Sequence, residues 1–315
     1  MREILTITLN PAVDLDSSVA EVTPGPKLRC ATPAIDPGGG GINISRAVAE
    51  LGGGSTALVA AGGGIGDVLI ALLRREAVSA RIIEAPGETR QSLSVIENST
   101  GAQFRFVFPG PAWDAGDVAR AEREIADVVP RKGLVVLSGS QPRGFADDFT
   151  ARLVAIAAQC DAGVALDSSG PALRALQAGR IKGLELLRLD KGEAADLAGA
   201  DLPDAAASAA FAAELVARDM ARIVVLARGA EGSVLVTGAG RWFCNAAKVP
   251  VRSKTGAGDS FVAGFLLALA GGTPPERALQ HGVAAASAAV MTEATTLCRR
   301  KDAEALMAEC QVSPL

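Results

Sequence analysis

The sequence predicts an α/β protein whose core is a doubly wound, mostly parallel sheet with helices on both faces, accompanied by a small separate β-sheet. Three observations lead to this prediction. Short apolar, β-branched runs recur along the 315 residues, and Ala-rich stretches with helical spacing separate them. These runs are apolar throughout, which is typical of parallel strands buried on both faces. Residues 15–36 and 89–108 break the alternation, because both look like strand pairs without an intervening helix.

The elements of the core follow from these patterns. The predicted strands cover residues 4–9, 56–61, 134–138, 163–167, 184–189, 223–227 and 233–236. The predicted helices cover residues 42–52, 66–76, 115–129, 146–159, 205–219, 257–271 and 274–291. Length alone suggests about two domains, although α/β sheets of this size often fold as one. We expect one α/β core from residues 1–14, 37–88 and 110–315, and a small sheet from residues 15–36 and 89–109.

The two faces of the small sheet differ in polarity, since successive side chains of a strand point to opposite faces. The predicted apolar face carries Leu93, Val95, Phe104, Phe106 and Phe108. The predicted basic and polar face carries Arg90, Ser92, Ser94 and Arg105. We expect a flap over a cleft, or an interface in which two flaps pack their apolar faces together. The alternative is a pair of edge strands with ordinary solvated arginines.

Composition narrows the classes of function. Thirty-five acidic residues oppose 31 basic ones, for a formal charge of −4, and no run of five or six like charges occurs, so nucleic acid is not an expected partner. Because His281 is the single histidine, a two-histidine metalloprotease helix is impossible, and a Ser-His-Asp triad would need that residue. Acid–base chemistry must rely on Asp, Glu or Lys. For His281 itself we expect a structural or solvent-facing role in its predicted helix.

The cysteines and the apolar segments indicate a cytoplasmic protein. The five cysteines are scattered without any C-x-x-C pair, so we expect reduced thiols rather than a zinc or dithiol site. The N-terminal residues alternate like a strand and reach Asn10-Pro11 without the apolar stretch of a signal peptide. The longest strongly apolar run, residues 261–270, is about half of the roughly 20 residues that a membrane-spanning helix needs. We therefore expect no membrane partner.

The strongest local signal is the Gly-rich segment TGAGDS at 255–260, which opens an apolar helix. Such a turn directs unpaired backbone N–H groups and the positive end of the helix dipole towards an anion. Asp259 would lie in the first turn of the helix and accept a proton from a hydroxyl, while the amides of Gly256, Ala257 and Gly258 stabilise a transferred phosphoryl group. The alternative is an acidic residue that merely caps its helix.

A second Gly-rich turn covers residues 36–43 and also leads into a helix. Its four consecutive glycines let a ligand approach the backbone closely, and Asn43 offers both an acceptor and a donor to sugar hydroxyls. Neither Gly-rich turn matches G-x-G-x-x-G followed by an acidic strand end, nor G-x-x-x-x-G-K-[ST]. Rossmann dinucleotide binding and a Walker-type P-loop are therefore not expected.

Six motifs occur in the order seen in the ribokinase-like (PfkB) carbohydrate kinases. They are NPAVD at 10–14, GGGGIN at 38–43, TRQ at 89–91, SGS at 138–140, RGAEG at 228–232 and GAGD at 256–259. The sequence resembles this family over essentially its whole length. Within it, KLRC at 27–30, the turn at 38–43 and FRFV at 104–107 look most like the branch that phosphorylates fructose 6-phosphate. The resemblance implies Mg²⁺- and ATP-dependent phosphorylation of a sugar hydroxyl, on a ribokinase-like core whose β-sheet lid often pairs two subunits as a homodimer.

The resemblance also implies roles for individual residues. Asp259 matches the catalytic base, and the amides of residues 256–258 match the anion hole. The family positions that contact the sugar correspond to Asp14, Gly39 and Asn43. The basic lid positions that would face the sugar phosphate match Lys27, Arg29, Arg90 and Arg105. Nucleotide-binding positions match Arg188, Arg228, Gly229, Gly232 and Thr255, although residues 228–232 also fit an ordinary turn between strands.

One departure from the family concerns the metal. Where the family commonly has Lys-Pro followed by Asn-x-x-Glu, this chain has Arg188, then Asp190 and Glu193. Asp190 keeps an oxygen for magnesium or its waters, so Asp190 and Glu193 are expected to hold Mg²⁺ through water. The aspartate adds a negative charge at this position, which Arg188 can offset.

The nearest alternatives are kinases of fructose 1-phosphate or tagatose 6-phosphate. In these the second Gly-rich turn commonly reads Gly-Gly-Lys-Gly, whereas Gly40 here carries no side chain. Without that lysine, positive charge comes from the four basic lid residues, which favours a phosphate at the lid end and a free hydroxyl at Asp259. A non-catalytic regulator that binds a sugar phosphate or nucleotide is an alternative of another class, and Asp259 in its intact turn argues against it.

Overall fold

The structure of the protein, a computed structural model, describes residues 1–167, 170–293 and 296–315. The strands are β1 (Ile4–Thr8), β2 (Ala12–Val19), β3 (Ala34–Gly38), β4 (Thr56–Ala61), β5 (Ala80–Glu84), β6 (Arg90–Glu97), β7 (Gln103–Val107), β8 (Leu134–Ser138), β9 (Gly163–Asp167), β10 (Leu184–Leu189), β11 (Ala221–Ala227), β12 (Gly232–Thr237), β13 (Gly240–Asn245) and β14 (Val312–Pro314). The helices are α1 (Gly40–Glu50), α2 (Gly63–Arg75), α3 (Ala115–Val128), α4 (Phe149–Ala158), α5 (Pro171–Gln177), α6 (Lys191–Ala198), α7 (Ala205–Ala217), α8 (Ala257–Ala270), α9 (Pro275–Ala289) and α10 (Arg300–Leu306).

The large sheet confirms the predicted α/β class. Its strand order is β14-β13-β12-β11-β10-β9-β8-β1-β4-β5. The seven strands from β11 to β5 pair in parallel, whereas β12, β13 and β14 add an antiparallel edge. The carboxyl ends of the parallel strands therefore meet at one edge, which is where ligands bind in open α/β sheets.

Helices cover both faces of this sheet, because alternate strand residues pack to opposite sides. In β8, for example, Val135 and Leu137 belong to the apolar cluster that includes residues of α3, α4 and α7, whereas Leu134 and Val136 belong to the cluster that includes residues of α1, α8 and α9. All four side chains are buried. A strand that is buried on both faces needs apolar residues at every position, which is why these strands read as continuous apolar runs.

The seven predicted strands and seven predicted helices are all present, with ends that differ by no more than three residues. Sequence reasoning missed β5, β13, β14, α5, α6 and α10. Of the three missed strands, β5 and β14 are the edges of the sheet and β13 lies next to β14. Each has at most one buried residue, so the apolar run is weak. The three missed helices have seven or eight residues, which is too short to show a clear helical period.

The small sheet has the strand order β3-β2-β6-β7. Phe106 lies opposite Leu93 and Phe104 opposite Val95, whereas Arg105 lies opposite Ser94. This register confirms the predicted division into an apolar and a basic face. The sheet extends a little beyond the predicted limits, since β2 begins at Ala12 and β3 ends at Gly38. Asp14 is consequently part of this sheet, on the basic face beside Ser92.

Two further features concern membrane-spanning helices and the state of the cysteines. Within the three described ranges, no helix is long and apolar enough to cross a membrane. All five cysteines are free, and Cys244, Cys298 and Cys310 are buried.

Candidate active site

A cleft of about 1030 Å³ separates the basic face of the small sheet from the carboxyl edge of the large sheet. The small sheet contributes Asp14, Asp16, Arg90, Ser92, Ser94 and Arg105 to its walls. The opposite wall carries Gly39, Asn43, Lys254, Thr255, Gly256 and Asp259. Most of the predicted catalytic and sugar-binding residues thus line one cavity, although they are spread over nearly the whole sequence.

Asp259 lies in the first turn of α8, directly behind the Gly-rich turn. Gly256 caps the helix with a φ of 75°, in the left-handed region that favours glycine, and no side chain caps it. Within the described ranges, the amides of Gly256 and Gly258 have no hydrogen-bond partner, while that of Ala257 makes a long turn bond of 3.4 Å to the Lys254 carbonyl. Unpaired amides at a helix N-terminus form a natural anion site, as the sequence predicts.

The side chain of Asp259 is partly buried in the wall of the cleft and accepts a hydrogen bond of 2.9 Å from Nδ2 of Asn43. Burial raises its pKa from 3.8 to about 7, with a further contribution from the nearby carboxylate of Asp167. The Asn43 hydrogen bond and the guanidinium groups of Arg188 and Arg46 oppose this rise. A carboxylate whose pKa lies near neutrality is well matched to a proton-accepting role at physiological pH.

Asp167 is a site residue that sequence reasoning missed. It ends β9, and its Oδ1 accepts a hydrogen bond of 3.0 Å from Nη1 of Arg188, while Oδ2 accepts one of 3.3 Å from Ser138 Oγ. Both members of this ion pair are largely buried. The available signal was an acidic residue at the carboxyl end of an apolar strand, the edge at which such sheets bind ligands.

Arg188, a predicted nucleotide-binding residue, lies against the Gly-rich turn. A side chain at Gly258 would come within 3.2 Å of the Arg188 guanidinium. The guanidinium thus stands between the carboxylate of Asp167 and the amides of the anion hole. A Cβ at position 258 would therefore require the guanidinium to shift by a few tenths of an ångström.

The sugar side of the cleft is organised around Asp14 and Arg90. Arg90 is half-buried and donates to the Asn10 carbonyl at 3.1 Å and to Ser92 Oγ at 3.3 Å. Burial raises the pKa of Asp14, and the positive charge of Arg90 opposes that rise. Gly38 lies so close that a Cβ there would stand 2.1 Å from Asp14 Oδ2. Arg105 lines the same wall but is exposed.

Three of the predicted binding residues line neither this cleft nor the second cavity, which lies on the other side of the Gly-rich turn. Lys27 and Arg29 are exposed in the segment between β2 and β3 and do not contribute to the cleft of the single chain. Arg228 is only 3% exposed. Its guanidinium donates to the carbonyls of Leu202 and Pro203, to Ser208 Oγ and to Glu231. A buried charge must be paired, and the Arg228 guanidinium ties the loop before α7 to the turn at 229–231. A part for Arg228 in nucleotide binding stays a prediction.

A second cavity of about 680 Å³ lies on the other side of the Gly-rich turn. Three predicted nucleotide-binding residues, Arg188, Gly229 and Gly232, line it together with Gly258. Its remaining walls are mostly aliphatic or aromatic and include Val249, Val251, Phe261, Val283 and Val290. Thr255 lines the first cleft instead. The turn at 256–259 is thus shared, with a polar cleft on one side and an apolar cavity that suits a planar base on the other.

Asp190 and Glu193 stand at the start of α6, near Arg188. They form a reciprocal capping box, in which the Asp190 carboxylate accepts from the Glu193 amide and the Glu193 carboxylate accepts from the Asp190 amide, both at 2.9 Å. Burial raises the pKa of Glu193, and the charges of Asp190 and Asp167 add to the rise. Among the described residues, no group of three or more His, Cys, Asp or Glu side chains could hold a metal ion. The carboxylates still fit magnesium bound through its waters, because Mg²⁺ usually keeps several waters and takes one or two carboxylates.

His281 lies apart from this chemistry. It is on α9 and lines a small cavity between α8 and α10. Burial lowers its pKa, so the imidazole is neutral at pH 7. The residue is exposed, and the structural or solvent-facing role expected for it stays a prediction.

The pfkB family of carbohydrate kinases matches residues 4–302. The chain belongs to this family. It is 36% identical over 301 residues to the ATP-dependent 6-phosphofructokinase isozyme 2 of Mycobacterium tuberculosis strain H37Rv, which covers 96% of this chain and 88% of that protein. It is 32% identical over 269 residues to a 1-phosphofructokinase of Xanthomonas campestris, covering 85% and 84%. Membership of the pfkB family makes the chain a phosphotransferase that acts on an alcohol group of a sugar.

Solved structures agree with this assignment. Phosphofructokinase-2 from Escherichia coli in complex with fructose-6-phosphate aligns with a TM-score of 0.89 at 34% identity, over 98% of this chain and 99% of that one. A tetrameric inhibited form of the same E. coli protein aligns with a TM-score of 0.90. The ribokinase-like fold expected from the sequence is confirmed for this pfkB kinase.

Proposed function

We propose that this pfkB kinase is an ATP-dependent 6-phosphofructokinase, which converts fructose 6-phosphate and MgATP to fructose 1,6-bisphosphate and ADP in the cytoplasm. The observation that carries the proposal is the placement of Asp259. Its carboxyl, with a pKa near 7, faces a cleft whose far wall carries Arg90 and Arg105, while the same turn borders the apolar cavity. The similarity to 6-phosphofructokinases over nearly the whole chain supports this substrate.

In the proposed reaction, the hydroxyl at carbon 1 of the sugar gives its proton to Asp259 as its oxygen attacks the γ-phosphorus. A new P–O bond forms at carbon 1, the bond from the γ-phosphorus to the bridging oxygen breaks, and ADP leaves with that electron pair. The amides of Gly256, Ala257 and Gly258 donate to the oxygens of the phosphoryl group as charge builds up. Arg188, beside Gly258, adds a positive charge at the same place.

The remaining contacts divide between the two substrates. Asp14, Gly39 and Asn43 bind sugar hydroxyls, and Arg90 with Arg105 binds the 6-phosphate, since arginine offers paired donors to phosphate oxygens. Lys27 and Arg29 stay proposals for the lid end of the site. Gly229 and Gly232 let the nucleotide approach the backbone, and Thr255 lies beside the turn. Asp190 and Glu193 would hold Mg²⁺ through water, and the ion would neutralise phosphate charge when bound.

The choice of sugar phosphate turns on Gly40. A Cβ at this position would stand 2.1 Å from Ser138 Oγ and 3.0 Å from the Gly139 nitrogen. The site therefore has no room for the lysine that the kinases of fructose 1-phosphate and tagatose 6-phosphate commonly carry there. Positive charge on the sugar side comes instead from the small sheet, opposite Asp259, which favours a phosphate at carbon 6 and a free hydroxyl at carbon 1.

We expect fructose 6-phosphate to be preferred over fructose 1-phosphate by at least about tenfold in kcat/KM, a difference of only about 1.4 kcal/mol in transition-state binding. A coupled assay of ADP release with both substrates and tagatose 6-phosphate, at saturating MgATP, measures this preference. A preference for fructose 1-phosphate would assign the chain to the activity of its Xanthomonas relative. No turnover with any sugar phosphate would favour a non-catalytic regulator.

We also propose a homodimer through the small sheet. Its outer face leaves Ile35, Phe106 and Phe108 exposed by 39%, 51% and 54%, and exposed apolar side chains in such a group mark an interaction surface. A twofold axis would pack two identical faces together, with each apolar side chain covered by the other copy.

The expected result is a dimer for the wild type and a monomer for Phe106→Glu, because the variant would bury a charge in an apolar interface. Multi-angle light scattering after size exclusion gives both masses. Val68→Glu changes an apolar residue of α2 that is 43% exposed, and it serves as the matched control. A monomeric wild type, or an unchanged mass for Phe106→Glu, would contradict this interface.

A further inference from the structure

Arg46 is a charged residue behind the cleft, and the proposed reaction gives it no direct contact with a substrate. It lies on α1 three residues after Asn43, so the two side chains share one helix face. Its Nη1 donates to Oδ1 of Asn43 at 3.3 Å, and its Nε pairs with the Glu76 carboxylate at the end of α2. The side chains of Arg46 and Glu76 are 14% and 21% exposed, which holds the guanidinium in one place.

These contacts form a chain from Glu76 through Arg46 and Asn43 to Asp259. An asparagine amide has one accepting oxygen and one donating NH₂ group. Because arginine can only donate, Arg46 requires the Asn43 oxygen on its own side. The NH₂ group then points at Asp259, where it donates to Oδ2 at 2.9 Å. With the amide reversed, its oxygen would face a carboxylate oxygen, and both contacts would be lost.

We propose that Arg46 is a positioning residue, which, held by Glu76, fixes the Asn43 amide so that it donates to Asp259 and keeps the base oriented and ionised. The inference rests on the proposed role of Asp259 as the base. With Oδ2 held by Asn43, Oδ1 of Asp259 is left for the sugar hydroxyl. Arg46 thereby acts on the reacting atoms through another side chain.

Electrostatics agree with this arrangement. The charges that act on Asp259 are those of Asp167 in β9, Arg188 in β10 and Arg46 in α1. The cleft that Asp259 lines also carries the charged residues Asp14, Asp16, Arg90, Arg105, Arg252, Lys254 and Glu293. Burial and Asp167 favour the protonated carboxyl, whereas Arg188 and Arg46 favour the carboxylate. Arg188 is engaged directly by Asp167. Within the part of the chain that the structure describes, Arg46 is the arginine connected to the base by hydrogen bonds, so its loss removes both a charge and an orientation.

The test compares Arg46→Met, Arg46→Gln and Arg46→Lys with the wild type. Arg46→Met should lower kcat on the order of tenfold at pH 7 and move the acid limb of the kcat profile to higher pH by about one unit, with the KM for MgATP unchanged. Arg46→Gln keeps a donor for Asn43 but no charge, so it should show the pH shift with a smaller loss of kcat. Arg46→Lys keeps the charge and should restore part of both.

Arg152→Met is the matched control, since Arg152 pairs with Glu122 at 2.8 Å and lies on α4, outside the cleft. It should leave the pH profile unchanged. Circular dichroism shows whether the Arg46 variants fold. The proposal would be overturned if folded variants kept the wild-type kcat and the wild-type acid limb of the kcat profile. An equal shift in Arg152→Met, or an Arg46→Lys no better than Arg46→Met, would also overturn it. If Met at position 46 prevents folding, the Gln and Lys variants decide the matter on the same readouts.

The test of Arg46 can be distinguished from the test of the proposed substrate. The pH profiles can be measured with any sugar phosphate that the wild type phosphorylates. A wild type that ignores fructose 6-phosphate but uses another acceptor would contradict the proposed substrate and still test Arg46.

Discussion

Replacing Asp259 by Asn is expected to lower kcat with fructose 6-phosphate by roughly 10²–10⁴-fold, the usual contribution of a general base. The amide keeps the size of the carboxyl and can still accept a hydrogen bond from Asn43, so the cleft should keep its shape. It cannot take the proton of the sugar hydroxyl. Binding of fructose 6-phosphate, measured by isothermal titration calorimetry, should be largely kept. Near-normal turnover would end the assignment of Asp259 as the base.

The wild-type enzyme should lose activity as the pH falls through about 7, because burial raises the pKa of Asp259 to that value and the protonated carboxyl cannot act as a base. The same shift has a consequence for stability. Between its ordinary pKa of 3.8 and about 7, Asp259 binds a proton in the folded state but not in the unfolded chain, so its contribution to the free energy of unfolding falls as the pH rises through that range.

Asp259→Asn cannot ionise and escapes this penalty. Its Tm should therefore exceed that of the wild type at pH 8, and the difference should narrow towards pH 5. Differential scanning calorimetry at the two pH values measures it and also shows that the variant is folded. A lower Tm at pH 8 would mean that the carboxylate stabilises the fold, which its burial beside Asp167 argues against.

The parts of the site that sequence reasoning could predict are those in which backbone geometry dictates the residue type. The segment 255–260 places glycines where backbone amides must be free to bind an anion, and it places Asp259 in the first turn of a helix. The structure has the glycine cap and the aspartate at these positions. The alternation of Phe104, Arg105 and Phe106 predicts two faces, because the period of a strand is two. Such signals lie within a few consecutive residues, so they can be read without knowledge of the fold.

The parts that it could not predict depend on contacts between distant segments. Asp167 and Arg188 are 21 residues apart and meet only because β9 and β10 are neighbours in the sheet. Arg228 lies in a motif typical of nucleotide loops, yet its side chain turns towards the start of α7. Whether a charged side chain faces a ligand or a buried internal partner is decided by tertiary packing. A local pattern gives the position of the residue in the chain but not the direction of its side chain.

The second large effect is expected at Arg90. Its guanidinium is half-buried, is held by the Asn10 carbonyl and Ser92 Oγ, and counters the burial of the Asp14 carboxylate. Truncation to Ala removes the phosphate contact and also takes away the positive charge that most opposes the raised pKa of Asp14, so the pKa of Asp14 rises further. We expect the fall in kcat/KM for fructose 6-phosphate to correspond to a loss of transition-state stabilisation on the order of 2–5 kcal/mol, as for breaking a buried charge pair. The KM for MgATP should be almost unchanged.

Arg105 provides the matched comparison, since it lines the same wall of the cleft but is exposed. Because its charge is screened by water in the free enzyme, Arg105→Ala should lower kcat/KM by the equivalent of only about 1 kcal/mol or less. Steady-state kinetics of the two single variants and the double variant, with fructose 6-phosphate varied at saturating MgATP, measure both effects. Equal losses would mean that the sheet closes over the substrate and buries Arg105 as deeply as Arg90. Unchanged kinetics in all three would show that both arginines are merely solvated edge-strand residues, and the phosphate would then have to bind elsewhere in the cleft.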